Sequence, residues 1–170
     1  MSESPQTVSL EVGMADPAEP SVAALLRQSE EYAYSLYPSE SVHMLPVNEI
    51  RMPHVRFIVA RDNETRDALG CCAVVLQEHD CAEIKRMFVL SPATMRAAMR
   101  SGAVNVKRLR GVGTELMKMA EKVARAEGVR TLRFETGPEQ PHAISLGHRF
   151  GYRLRGPYGN YSEDPNSVFM

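Results

Sequence analysis

Apolar and polar residues alternate along this chain with two periods, one typical of strands and one typical of helices. Six runs have the alternating or continuously apolar pattern of β-strands. They are residues 7–12, 55–61, 69–77, 81–89, 129–136 and 167–170, the last as a closing edge strand. A short polar turn separates the second and third runs, which predicts an antiparallel hairpin that the fourth run extends into a meander.

Apolar residues at helical spacing predict three helices. The first begins near Asp16 and ends before Pro38, and a shorter one covers residues 140–150. The most regular pattern lies between them at residues 114–127, with Gly128 as a stop signal. Residues 38–54 contain three prolines and predict a loop with one short helical turn.

Length and charge limit the classes of protein that fit. The chain has 170 residues, 44% of them hydrophobic, which predicts one domain over residues 1–170 with residues 1–6 frayed. A net charge of −1 argues against nucleic acid or an anionic membrane as a partner. No apolar run approaches the roughly 18 residues of a spanning helix, and the N-terminus lacks a signal-peptide pattern. We therefore expect a cytoplasmic protein.

The three cysteines do not predict a metal site. Cys71 and Cys72 are adjacent, and Cys81 follows shortly after them. Adjacent residues on a strand point to opposite faces, so the first two cannot bind one metal together, even with His79 nearby. We expect small buried side chains in a reducing compartment, and no metal.

A basic stretch precedes the most regular helix. Five basic residues and no acidic residue lie between Ser91 and Thr114, and Gly111 and Gly113 stand at the end of this stretch. The first turn of a helix binds anions through unpaired N–H groups and the helix dipole, and glycine lets the anion approach the backbone. The pattern predicts a site for phosphate or pyrophosphate, with a solvated basic loop as the alternative.

Two well-known phosphate loops do not fit this stretch. A P-loop needs Lys and then Ser or Thr directly after its last glycine, whereas Val112 follows Gly111. The dinucleotide-binding motif G-x-G-x-x-G needs a third glycine at position 116, which is Leu116. The glycine pair must therefore be interpreted from its wider context.

Residues 108–113, RLRGVG, match the R/Q-x-x-G-x-G/A signature of the GNAT acetyltransferases. The order of predicted elements resembles the family over nearly the whole chain, and the tail from Gly156 to Met170 resembles one bacterial-type branch. The resemblance implies an α/β fold with a central mixed, mostly antiparallel sheet flanked by helices. It also implies that this loop wraps the pyrophosphate of acetyl-coenzyme A (acetyl-CoA). The residues implied are Arg108, Leu109, Arg110, Gly111, Val112, Gly113 and Thr114.

The resemblance also gives the fourth predicted strand a binding role. In the family this strand splays from the fifth, and its free backbone groups pair with the pantetheine amides of the coenzyme. Here those groups belong to Met87, Phe88 and Val89. Core packing is the alternative role for the side chains of Met87 and Phe88.

Two features depart from the family pattern. Residues 91–107 form an insert, predicted to be helical, between the fourth strand and the pyrophosphate loop. The family motif N-x-x-A-x-x-L-Y corresponds to residues 140–147, where Gln140 can replace the asparagine that touches the pantetheine arm. Gly147 stands where the family has the tyrosine that protonates the departing thiolate. Because glycine is unfavourable inside a helix, we expect this helix to tolerate Tyr at position 147.

The implied reaction is direct transfer of an acetyl group from acetyl-CoA to a primary amine. An alkylammonium has a pKa of about 10, so some group must take its proton before it can attack. Glu83 is the first candidate, with an ion pair to Lys85 as the alternative role, and Glu135 is the second candidate. His148 is a candidate proton donor. Further polar candidates are Tyr152, Tyr158 and Tyr161.

Two other classes of protein stay open at this stage. The absent tyrosine permits a coenzyme A binding or sensing module with little turnover. The basic stretch permits a nucleic-acid or protein-binding domain, although it has no interleaved aromatic residues. The acceptor, a small-molecule or peptide amine, does not follow from the sequence, and neither does the oligomeric state, for which a homodimer is one option.

Overall fold

The six predicted strands lie side by side in the order of the sequence. The computed structural model describes residues 9–92 and 109–170. The strands are β1 (Leu10–Met14), β2 (Val55–Asp62), β3 (Ala68–Leu76), β4 (Cys81–Val89), β5 (Thr131–Thr136) and β6 (Val168–Phe169). Neighbours are antiparallel except β4 and β5, which are parallel, so the predicted mixed and mostly antiparallel sheet is confirmed.

Helices flank this sheet, and β3 is buried along almost its whole length because α1 and α3 pack against it. The helices are α1 (Pro20–Leu36), α2 (Val47–Ile50), α3 (Val112–Ala126) and α4 (Pro141–Arg149), with a 3-10 turn at Ser39–Ser41. Leu116, Met117 and Ala120 form the buried stripe of α3. None of the helices in the described ranges is long and apolar enough to cross a lipid bilayer.

The first strand is displaced from its predicted position. β1 begins at Leu10 and ends at Met14, because these residues pair with Asp62 and Ile58 of β2. The predictions for residues 1–6, for the helical insert from residue 93 onward and for Arg108 lie outside the described residues.

Cys71 and Cys72 are fully buried in β3. The Cys71 sulfur lies 3.4 Å from the carbonyl oxygen of Arg86, and the Cys72 sulfur lies 3.9 Å from that of Leu116. Burial raises the pKa of the Cys71 thiol to about 12 and also raises the pKa of Cys72, so neither forms a thiolate ligand near neutral pH. Within residues 9–92 and 109–170, no group of three His, Cys, Asp or Glu side chains could hold a metal ion.

β4 and β5 pair over only four residues and then part. Their register begins with Cys81 opposite Thr131 and ends with Ile84 opposite Phe134. Just beyond this point β4 has a bulge against β3, where Arg86 adopts a left-handed φ of 56°. Because a bulge bends a strand and increases its twist, β4 turns away from β5.

The side chain of Arg86, which is 1% exposed, holds this bulge in place. Its guanidinium donates hydrogen bonds to the Glu30 carboxylate at 2.7 Å, the Ser29 hydroxyl at 3.1 Å and the Leu45 carbonyl at 2.9 Å. These contacts connect β4 to α1 and to the segment before α2. The bent part of β4 is therefore fixed from one side of the sheet.

The structure contradicts the expectation that α4 tolerates a tyrosine at position 147. Gly147 is buried, and a Cβ there would lie 2.6 Å from the Phe134 ring and 2.8 Å from the Met170 sulfur. Atoms of β5 and of the C-terminal residue thus fill the space in which a tyrosine side chain would begin. The helical pattern could not reveal this, because neither neighbour belongs to α4.

Replacing Gly147 by Ala should destabilise the protein, although Ala is favoured over Gly inside helices by about 1 kcal/mol. Overpacking a filled core typically costs about 1–3 kcal/mol, so we expect a lower free energy of unfolding in urea. Gly113→Ala is the matched control, since a Cβ there meets its nearest neighbours at 3.5 and 3.8 Å. An unfolding free energy of Gly147→Ala equal to that of the wild type would contradict this packing.

Candidate active site

A cleft opens where β4 and β5 part. It contains about 960 Å³ free of protein atoms, part of which is open solvent. Its walls come from α1, residues 41–44, β4, β5, the start of α4 and the C-terminal tail. Six of the residues that the sequence analysis named as candidates line it, namely Glu83, Met87, Phe88, Glu135, Gln140 and Tyr161.

The glycine loop lies beside the end of β4. Gly111 has a left-handed φ of 77° and precedes α3 without a side-chain cap. The Glu115 N–H donates to the Gly111 carbonyl, so the N–H groups before Glu115 lie at the open end of the helix, where an anion can accept them. The Val89 side chain lies 3.8 Å from the Cβ position of Gly113. The fold thus brings the predicted β4 residues and the predicted loop together.

The other described loop residues differ in their exposure. Val112 is fully buried, so only its backbone can meet a ligand. Leu109 and Thr114 are half-buried, and Arg110 is exposed beside the start of the helix. Their contacts with the coenzyme remain predictions.

The edge of β4 beyond Ile84 fits an extended chain of amides. None of the β4 residues after Ile84 pairs with β5, so the sheet does not use the backbone groups on that side. Met87 and Phe88 also direct side chains to the cleft, and the Phe88 ring lies 6.0 Å from the Tyr32 ring. In this part of β4 the backbone can therefore bind a ligand while the side chains pack against neighbouring residues.

Gln140 holds the turn between β5 and α4. Its side-chain oxygen accepts hydrogen bonds from the Thr136 hydroxyl at 3.1 Å and from the Gly137 N–H at 3.3 Å. In the same turn the Tyr37 hydroxyl accepts a bond from the Glu139 N–H at 3.0 Å. Gln140 therefore lines the cleft from a fixed position, and its contact with the pantetheine arm stays a prediction.

Glu83 is buried in a polar cluster on the same side of the sheet. Its Oε1 accepts hydrogen bonds from the Tyr161 hydroxyl at 2.5 Å and from the Tyr158 hydroxyl at 3.2 Å. Its Oε2 accepts one from the Gln77 amide at 3.3 Å, and the Lys85 ammonium lies 3.4 Å from Oε1. The ion pair with Lys85, which was the alternative role for Glu83, is present.

Lys85 and Tyr161 extend this cluster to the loop after α1. The Lys85 ammonium donates to the Tyr161 oxygen at 2.6 Å and to the His43 carbonyl at 3.0 Å. Burial, together with the Glu83 carboxylate, raises the pKa of Tyr158 and of Tyr161, so both hydroxyls stay protonated and act as donors. A hydrogen-bonded chain thus joins residues 41–44, β4 and the C-terminal tail.

Glu135 is the first residue of β5 beyond its last pair with β4, and it lines the same cleft. Its pKa is raised to about 7, mainly by burial; the Ser167 side chain and the charge of Lys85 lower this pKa, and the charges of Glu83 and Asp164 raise it. A carboxyl group with such a pKa can exchange protons near neutral pH, as acid–base catalysts do.

His148 does not reach this cleft. It lies on the exposed face of α4 near Pro141, Ser145 and Arg149. Successive residues of a helix are offset by about 100°, so the burial of Gly147 turns the next side chain outward. This position contradicts the predicted role of His148 as a proton donor in the cleft.

Several cleft residues were not identified from the sequence. Tyr37 and His43 come from the segment after α1, and the Asn166 amide in the tail donates to the Ser41 hydroxyl at 3.2 Å. The signals in the sequence for this region were the family resemblance of the tail and its tyrosines.

Known proteins share both the sequence pattern and the fold. The profile of the acetyltransferase (GNAT) family matches residues 107–152. The IAA acetyltransferase of Azospirillum brasilense is 36% identical over 155 residues, which cover 91% of this chain and 91% of that protein. This chain belongs to the GNAT family.

Two solved structures extend the likeness of this GNAT acetyltransferase. A protein of Klebsiella pneumoniae subsp. pneumoniae, provisionally described as an acyl-CoA N-acyltransferase, gives a TM-score of 0.70 at 29% identity and covers 95% of this chain and 94% of its own. The PaiA N-acetyltransferase of Thermoplasma acidophilum, in complex with coenzyme A, gives a TM-score of 0.63 at 14% identity. That match covers 95% of this chain and 97% of the PaiA chain. This chain is an acetyl-CoA-dependent N-acetyltransferase of the GNAT family.

Gly113→Ala should weaken coenzyme A binding without unfolding the enzyme. Inside the protein the new methyl group has room, 3.5 Å from the Leu146 side chain, so any loss would arise where the ligand approaches the backbone. We expect at least about tenfold weaker binding, or roughly 1.4 kcal/mol, by calorimetry. Gly156→Ala, where a Cβ meets open space, is the control. Unchanged affinity in Gly113→Ala would show that the loop does not contact the pyrophosphate closely.

Glu135→Gln should stabilise the enzyme at pH 8 but not at pH 4. The native state raises the pKa of Glu135 from 4.5 to about 7, so it binds this proton more tightly than the unfolded chain does. This proton contributes up to about 3 kcal/mol to the free energy of unfolding. The contribution is fully present below pH 4.5 and is lost as the pH rises through 7. Because Gln resembles the protonated carboxyl, the melting temperature of the variant should exceed that of the wild type increasingly toward pH 8. A difference that does not change with pH would contradict the raised pKa.

Proposed function

We propose that this enzyme transfers the acetyl group of acetyl-CoA to the primary amine of a small molecule bound beside Glu83, Lys85 and Glu135. The parting of β4 and β5 after Ile84 and Phe134 supports this function. Beyond that point β4 has an unpaired edge for the coenzyme, and a cluster of titratable side chains faces the same cleft. An amine held by the cluster would therefore be next to a coenzyme held by the edge.

The loop and the β4 edge are assigned to the coenzyme. The N–H groups at the start of α3, with Arg108 and Arg110, would bind the pyrophosphate, because a helix start and guanidinium groups both favour doubly charged phosphate. The backbone from Met87 to Val89 and the side chain of Gln140 would hold the pantetheine arm. Bound acetyl-CoA supplies a thioester, which is an acetyl group activated toward amines.

The cleft also has groups that suit the acceptor. An ammonium group must lose a proton before its nitrogen can attack, and a carboxylate within hydrogen-bond distance can take it. Glu83 and Glu135 both line the cleft, and the positive charge of Lys85, which is paired with Glu83, also lowers the pKa of Glu135. Two carboxylates and one lysine leave a negative charge that an ammonium substrate would balance.

A small acceptor is favoured by the walls of the cleft. Residues 41–44 and the C-terminal tail approach each other, with the Asn166 side chain bonded to Ser41. The Azospirillum relative is named for IAA, and we carry over only that its acceptor is a small molecule.

We also propose a cytoplasmic location. Cys71, Cys72 and Cys81 are free thiols, and unpaired thiols are typical of reducing compartments. Fractionation of cells that produce the protein would test this location.

Release of the coenzyme A thiol from acetyl-CoA, measured with a panel of amines, amino acids and short peptides, tests the function. We expect one class of small primary amine to react well above the rate in buffer, with the acetyl group found on nitrogen by mass spectrometry. The N,N-dimethyl analogue of the best amine is the control, because a tertiary amine cannot form the amide. Binding of coenzyme A without thiol release for any amine would instead identify a coenzyme A binding module.

A further inference from the structure

Glu83 and Glu135 line the same cleft, but their carboxylates differ in how they are engaged. Both oxygens of Glu83 already accept hydrogen bonds, from Tyr158, Tyr161 and Gln77, and its charge is paired with Lys85. A proton on Glu83 would remove the charge that holds Lys85 and would compete with the tyrosine donors. Glu83 is therefore poorly suited to accept a proton during each turnover.

Glu135 is half-buried at the point where β4 and β5 part. It follows the last β4–β5 pair, so no strand covers it on the β4 side, and its backbone pairs with Phe169 of β6 on the other. Among the described residues, no Lys, Arg or His nitrogen lies within 4 Å of its carboxylate. The main chain thus fixes Glu135 at the cleft while its carboxylate lacks a cation of its own.

The charges around Glu135 suit a group that exchanges protons. Three parts of the fold contribute titratable or polar groups that act on it: the segment after α1, β4 and the C-terminal tail. These groups are Tyr37, Glu83, Lys85, Tyr158, Tyr161, Asp164 and Ser167. Burial is the main reason that the pKa of Glu135 is about 7, so carboxylate and carboxylic acid coexist at neutral pH. An ammonium group entering the cleft would supply the missing cation.

We propose that Glu135 is the base that takes the proton of the acceptor ammonium, and that Glu83 is a positioning residue that acts through Tyr161 and Lys85. This assignment rests on the proposed function, because it requires an amine in the cleft. Glu83 fixes the C-terminal tail and the Lys85 ammonium against β4, and these form one wall of the acceptor site.

The proton and electron pairs balance as follows. The Glu135 carboxylate takes one proton from the ammonium, and the freed nitrogen lone pair forms the bond to the acetyl carbon. The carbon–sulfur bond breaks with its electron pair on sulfur, and the second nitrogen proton reaches that sulfur through water. Glu135 then releases its proton to solvent, which restores the carboxylate.

The pH dependence of the reaction separates the two carboxylates. Wild type, Glu135→Gln and Glu83→Gln are compared with saturating acetyl-CoA and the best amine of the panel. In the wild type, kcat/KM for the amine should rise through an inflection near pH 7, since the base is active when deprotonated. Glu135→Gln should lose that inflection and about 10²–10⁴-fold in rate, with unchanged coenzyme A affinity. Glu83→Gln should keep the inflection and raise KM for the amine.

Sodium formate provides a second readout that a purely structural role would not affect. Formate should restore part of the rate of Glu135→Ala by replacing the missing carboxylate, and it should not restore Glu83→Ala. An inflection that survives in Glu135→Gln, or that disappears only in Glu83→Gln, would overturn the assignment. A wild-type enzyme that binds coenzyme A but releases no thiol with any amine would instead overturn the proposed function. Thermal melts at pH 8 establish that each variant is folded.

Discussion

The bulge at Arg86 and the buried guanidinium that holds it determine whether this protein has a cleft at all. A residue other than glycine with a φ of 56° typically costs about 1–2 kcal/mol. The hydrogen bonds from Arg86 to Glu30, Ser29 and Leu45 offset that cost. Because the Arg86 guanidinium is buried, losing these partners would leave its N–H groups unpaired, so β4 and α1 are held in one arrangement. Without the bulge, β4 could continue beside β5, and sheet hydrogen bonds would occupy the edge proposed for the coenzyme.

Once the strands part, β4 can serve two ligands with different chemical groups. Backbone N–H and C=O groups lie in the plane of a sheet, whereas side chains stand roughly perpendicular to it. Glu83 and Lys85 direct their side chains toward the C-terminal tail and residues 41–44. The backbone after Ile84 stays available at the edge. In the proposed complex, the amides of the coenzyme and the acceptor amine would therefore not compete for the same groups.

Features that depend on neighbouring residues could be predicted from the sequence. The alternation of β2, β3 and β4 and the apolar stripe of α3 placed these elements within two residues of their observed ends. Gly111 and Gly113 marked the loop before α3 because a helix start and its preceding loop are contiguous in the chain. The meander order followed from short turns, and the mixed, mostly antiparallel character of the sheet followed from the family resemblance.

Features that depend on distant residues could not be predicted in the same way. Glu83 meets Tyr161, which is 78 positions further along, and the Gly147 position is filled by Phe134 and Met170. The pattern of α4 gave the spacing of its faces but not which face meets the sheet, so it could not show that His148 is exposed outside the cleft. The local sequence around Glu135 likewise contains no sign of the burial that raises its pKa.

The chemistry of the two ends of the reaction explains why the site can lack an acid and still keep a base. At pH 7, removing a proton from an ammonium with a pKa of about 10.4 costs roughly 4.6 kcal/mol, whereas leaving a thiol of pKa about 8.5 ionised costs only about 2 kcal/mol. Assistance is therefore worth more at the acceptor than at the departing sulfur. The structure agrees with this difference between acceptor and sulfur. Packed core atoms fill the position of the family tyrosine at Gly147, whereas Glu83 and Glu135 both line the cleft. In the proposed reaction water can protonate the sulfur, whereas an acceptor ammonium would gain more from a carboxylate held beside it.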